Sequence, residues 1–122
     1  MTGLGAVLAV AAAAEMGTGV LLLVYPPIVV RLLLGAEVAG AGIAVSRVAG
    51  VSLLSLGVAC WPRGDVADRE RALPGLLTYT VLVAVYLSYL GVARHAAGIL
   101  LWPAVVVHLL MAFLLVRARH TP

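Results

Sequence analysis

The sequence predicts an all-α fold, a transmembrane four-helix bundle with a short interfacial helix after the first span. Three observations predict it. Of 122 residues, 64% are hydrophobic and 11% charged, with a mean hydropathy of +1.16. A soluble domain of this size would need more charged surface to stay dissolved. Apolar runs of about 20 residues, the length that crosses a bilayer's hydrocarbon core, recur along the whole chain. Most of the charged residues fall in the short stretches between or after those runs. A single integral membrane domain over residues 1–122 follows.

The first span is "GLGAVLAVAAAAEMGTGVLLLVY", residues 3–25, which qualifies despite Glu15. It lacks a preceding basic stretch, so it reads as a retained anchor rather than a cleavable signal. "PPIVVRLLLGAE", residues 26–37, is too short to cross. Its Ile28, Val29, Leu32 and Leu33 share one apolar helical face with Arg31 turned to the headgroups, which is the pattern of a helix lying in the interface. The second span covers residues 39–61 and ends at Cys60-Trp61-Pro62. "RGDVADRER", residues 63–71, sets three acids against three arginines and reads as a solvated loop. Pro74-Gly75 opens the third span, residues 75–93. "RHAAG", residues 94–98, is a tight turn, so the fourth span, residues 98–116, forms a hairpin with the third. Pro103 falls in its early turns, where a missing backbone donor costs least.

The net charge of +3 comes from eight arginines without a lysine. They sit singly at the ends of apolar runs, as orientation signals do, and do not form a nucleic-acid surface. Arg63, Arg69, Arg71, Arg117 and Arg119 fall on one side and Arg31 and Arg94 on the other. That bias predicts a multi-pass protein of a bacterial inner membrane with both termini cytoplasmic. Trp61 and Tyr79 would then lie near the cytoplasmic surface, with Tyr25 and Trp102 near the opposite one. Cys60 is the only cysteine, which excludes an intramolecular disulfide and a cysteine metal cluster. It reads as a small apolar filler near a helix end.

Depth counted from the outer ends of the spans brings four polar residues together. Glu15 lies below Tyr25, Arg47 below Ala39, Tyr86 below Ala93 and His108 below Gly98, all within roughly one helical turn of a common depth at about 1.5 Å per residue. A charge at that depth must turn inward to a partner. Arg47 stays protonated and needs an acceptor, and Glu15 is the only acid at its level, because Glu37 sits near the interface beside Arg31. The expectation is a Glu15–Arg47 pair, with Tyr86 and His108 completing the layer. Two readings of the layer stand side by side: a device that fixes helix register, or a ligand-binding or proton site.

Small residues recur every fourth position at Gly5, Ala9, Ala13 and Gly17 on the first helix and at Gly42, Ser46 and Gly50 on the second. Such stripes let helices approach closely, within the chain or across a homodimer. Only His108 of the histidines is deep, which argues against a bis-histidine haem, and ligands for zinc do not cluster, so neither cofactor nor metal is expected. Catalytic spacing is not legible either. His108 and Glu15 as acid and base for a membrane lipid or quinone is a combination no motif demands.

Two resemblances bear on function. "AAAAEMGTGVLL", residues 11–22, resembles the first helix of the small multidrug resistance exporters, in which a lone membrane glutamate followed by glycine-threonine exchanges protons for cationic drugs. That resemblance implies a coupling role for Glu15. "GIAVSRVAGVSLLSLGVACW", residues 42–61, a charged loop, and "LTYTVLVAVYLSYLG", residues 77–91, look like the small bacterial DoxX-like membrane proteins, which are four-helix proteins with a glycine-rich, arginine-bearing helix. The expected function is binding of a small or lipophilic ligand in an intramembrane polar pocket. Proton-coupled export and an accessory role in a larger membrane complex are the alternatives.

Overall fold

The computed structural model describes residues 3–121. They form helices α1 (Gly3–Val24), α2 (Pro26–Leu34), α3 (Ala41–Ala59), α4 (Val66–Val92) and α5 (Leu101–His120). Four of these, α1, α3, α4 and α5, are long and apolar enough to cross a membrane. The chain is a multi-pass membrane protein with the expected all-α architecture. α1 packs along α3 and α4 along α5, and α1 also meets both α4 and α5. The bundle is therefore two helix pairs joined through α1, with α3 on the outside.

The faces of α1 explain this arrangement. Leu4, Leu8, Ala11 and Glu15 follow helical spacing along one buried face. The three apolar members pack with Leu73 and Leu76 of α4, Leu115 of α5 and Cys60. That cluster also puts the starts of α1 and the end of α5 at the same end of the bundle. The other buried flank is smaller. A methyl group at Gly19 would stand 2.7 Å from the Gly50 carbonyl oxygen, and one at Gly50 would stand 2.7 Å from that of Gly19. Gly57 lies equally close to the Ala12 carbonyl oxygen, 2.6 Å from its own would-be methyl. α1 and α3 approach backbone to backbone, which maximises dispersion contacts where apolar burial gives no drive.

Those contact positions differ from the expected stripes. Gly50 takes part, but Ala13 and Gly17 are exposed, with open space around Gly17. Ser46 Oγ donates back to the Gly42 carbonyl at 2.8 Å. Four-residue periodicity identified small residues without identifying which side of α1 carries α3.

α2 is too short to span, as expected, and opens on Pro26 and Pro27. It ends on Gly35 in the left-handed region at φ 70°, whose amide caps the Arg31 carbonyl. Arg31 and Glu37 form an exposed ion pair at 2.5 Å. Leu33 and Leu34 pack on Leu87, Ala96, Leu101 and Val105. The α4–α5 connection completes this closure, with the Ala97 and Leu100 amides donating to the carbonyls of Leu34 (3.1 Å) and Leu32 (2.8 Å).

The third span starts earlier than expected. Stretch 63–71 is only partly loop, because Asp65 caps α4 by accepting from the Asp68 amide at 3.1 Å. The residues that follow are good helix formers, and Arg71 pairs with Asp68 across one turn at 2.8 Å. Pro74 sits inside this helix instead of opening it. It is exposed, as is Glu70 one turn earlier, so the carbonyl that proline leaves unbonded lies on the open side.

Candidate functional site

Between the two apolar clusters lies one polar cluster, built by α1, α4 and α5. Glu15 continues the Leu4–Leu8–Ala11 face and is buried. Its Oε1 stands 3.9 Å from Nε2 of His108 on α5, and the two side chains are only 11% and 18% exposed. His108 Nδ1 lies 2.7 Å from the Ala104 carbonyl oxygen. A carbonyl can only accept, so Nδ1 carries a hydrogen and the ring turns Nε2 toward Glu15. The Tyr79 side chain lies beside the Glu15 carboxyl. Its ring is tilted 58° to the imidazole at a centroid distance of 6.2 Å. Thr80, beside it, is spent on the Leu76 carbonyl at 2.6 Å.

An acid, an imidazole with a free nitrogen and a phenol thus converge within the span region. The carboxyl and the imidazole stand 3.9 Å apart, a gap that a single group able both to donate and to accept would bridge. A carboxylic acid with a neutral ring and a carboxylate with an imidazolium have the same net charge, so either state avoids an uncompensated charge in an apolar surround. Among the described residues, no three His, Cys, Asp or Glu side chains converge as metal ligands.

Of the four residues expected in one layer, the structure brings Glu15 and His108 together and leaves Arg47 and Tyr86 apart. Arg47 is exposed, and its Nε donates to the Leu23 carbonyl oxygen at 3.3 Å. No ion pair links it to Glu15 among the described residues. The reason lies in α3, which covers the flank of α1 away from α4 and α5. A backbone demand at the end of α1 also draws the arginine. The last carbonyls of a helix need outside donors. Tyr25 N–H serves Leu21, but the amides that would serve Leu22 and Leu23 belong to Pro26 and Pro27 and have no hydrogen. Arg47 supplies the missing donor to Leu23 and places a cation at the negative end of the helix dipole.

Tyr86 is 61% exposed and stacks on Tyr89 with centroids 6.3 Å apart. The buried line of α4 is Leu73, Leu76, Thr80, Ala84 and Leu87, and Tyr86 faces away from it. Tyr79, expected near the surface, takes the place in the cluster. Its position was legible in part: it lies three residues after Leu76 and four before Val83, both of which pack inward.

These features define the class as a multi-pass, all-α membrane protein with a buried acid–imidazole–phenol cluster. Comparison with protein-family models, curated proteins and solved structures finds no match to the chain.

Proposed function

We propose that this chain is a bacterial inner-membrane protein that binds a small lipophilic molecule at Glu15, His108 and Tyr79. The observation that supports this best is the 3.9 Å separation of Glu15 Oε1 and His108 Nε2. It is too long for a direct hydrogen bond. A hydroxyl or amine of a ligand reaching both atoms would donate to one and accept from the other. Tyr79 adds a donor, and the surrounding leucines and alanines suit an apolar body. Both termini face the cytoplasm in this reading, because Arg63, Arg69, Arg71, Arg117 and Arg119 share their end of the bundle.

The test compares small molecules extracted from purified wild-type protein with those from Glu15→Gln and from Tyr86→Phe. A compound present in wild type and Tyr86→Phe but lost from Glu15→Gln supports the reading. An identical profile for all three contradicts it.

Proton-coupled export is the second reading, implied by the resemblance of residues 11–22 to the small multidrug resistance exporters. One observation favours it: Arg47 turns to Leu23, which leaves no arginine against the Glu15 carboxyl to repel a cationic substrate. Efflux of ethidium from proteoliposomes driven by a pH gradient, and lost in Glu15→Gln, would select this reading over simple binding.

A further inference from the structure

The end of the bundle that carries the termini has a second polar feature. A groove of about 370 Å³ is lined by Val58, Ala59, Trp61, Arg63, Asp68, Arg71 and Ala72. A neighbouring groove on the other flank of α4 shares Arg71 and adds Glu70 and Arg119. We propose that the Trp61–Arg63–Arg71 groove binds the phosphate headgroup of an anionic phospholipid, independently of the site at Glu15.

Charge and position argue for this occupant. Among the described residues, the Arg63 side chain has no hydrogen-bond or ion-pair partner, whereas Arg71 spends one nitrogen on Asp68 at 2.8 Å and keeps further donors free. Arg63 and Arg71 against Asp68 leave one net positive charge in the groove, which matches a monoanionic phosphate diester. Guanidinium groups suit phosphate oxygens because they offer paired donors in one plane. The lower wall is apolar. Val58 and Ala59 close the span of α3 and Ala72 lies on α4, so the groove opens directly onto surfaces that face acyl chains. Trp61 stands where that wall gives way to the headgroup layer, the depth an amphipathic indole prefers. A soluble acidic peptide would use the cation but not the apolar wall.

Trp61 also reports on the groove. In protein carrying Trp102→Phe, reconstituted in phosphatidylcholine nanodiscs, brominated phosphatidylglycerol should quench Trp61 at a mole fraction several-fold lower than brominated phosphatidylcholine. Arg63→Gln should weaken that preference about fivefold, the effect of roughly one basic residue at a membrane surface. Arg94→Gln, at the other end, should leave it unchanged. Native mass spectra of the wild-type protein give a second reading should Trp102→Phe fail to fold, with retained phosphatidylglycerol that Arg63→Gln loses. Equal quenching by the two lipids, or equal retention in Arg63→Gln, overturns the proposal. So does loss of the preference on adding millimolar inorganic phosphate, which would reveal a site for soluble phosphate instead.

Discussion

Alanine at Gly50 should loosen the joint between α1 and α3. Its methyl would meet the Gly19 carbonyl oxygen at 2.7 Å, the Leu22 Cβ at 3.0 Å and the Leu23 amide nitrogen at 3.0 Å, where ordinary contact begins at 3.4 Å. Two of the three obstacles are backbone, so rotamer changes cannot relieve them. The helices must part by the difference, 3.4 minus 2.7, or 0.7 Å. A gap of that size forfeits about a quarter to a half of each contact along the interface, and overpacking typically costs about 1–3 kcal/mol. Alanine's better helix propensity returns about 0.5–1 kcal/mol, leaving a net loss of up to about 2.5 kcal/mol. Gly19→Ala should behave alike, and the double variant should lose less than the sum, because one separation accommodates both methyls. Gly17→Ala is the control. It meets nothing within 4 Å and should stabilise by about 0.5–1 kcal/mol. Reversible unfolding in mixed micelles, followed by helical circular dichroism, measures all four. If Gly50→Ala stabilises like Gly17→Ala, or if the two interface losses add fully, the close backbone crossing is refuted.

The structure also fixes which buried charges are coupled. Arg47→Ala should cost about 1 kcal/mol through the lost Leu23 bond, and its cycle with Glu15→Ala should show coupling below about 0.5 kcal/mol. The Glu15–His108 cycle should exceed that, and the reverse ranking of the two cycles in mixed-micelle unfolding would return Arg47 to the Glu15 site. Cys60 should react slowly with maleimide at pH 8. It is buried at 5% exposure with Sγ 3.7 Å from the Ala72 carbonyl, and burial raises its thiol pKa. A raised value leaves less of the nucleophilic thiolate at a given pH. Labelling should therefore accelerate as pH rises or on unfolding, and rapid labelling of the folded protein at pH 8 would contradict the packing of Leu4, Leu73 and Cys60.

Residue patterns made much of this fold legible. Hydropathy and the two prolines set the four spans and placed α2 outside them, because span length and loss of backbone donors are local properties. The early start of α4 escaped because the charges of residues 63–71 obscured both the Asp65 cap and the helix-forming run after it. At the site, depth alone put Glu15 and His108 in one layer, although it paired the carboxyl with Arg47. It failed for Arg47 because depth is silent on azimuth: α3 attaches to the Ala12–Gly19 flank of α1, and only side-chain size along both helices records that. The orphaned carbonyl left by Pro27 was the other sign of where an arginine on the next span would turn. Tyr86 and Tyr79 differ by face in the same way, and the inward line from Leu73 to Leu87 distinguishes them.

The Glu15–His108 arrangement can be read most directly from the imidazole nitrogens. Nitrogen-15 spectra of histidine-labelled protein in bilayers, with His108 assigned by its loss in His108→Gln, should show the ring protonated on Nδ1. Glu15→Gln should shift Nε2 and leave Nδ1 protonated, while Arg47→Ala should move neither. A neutral ring protonated on Nε2, or an Nε2 signal indifferent to Glu15→Gln, would contradict the cluster.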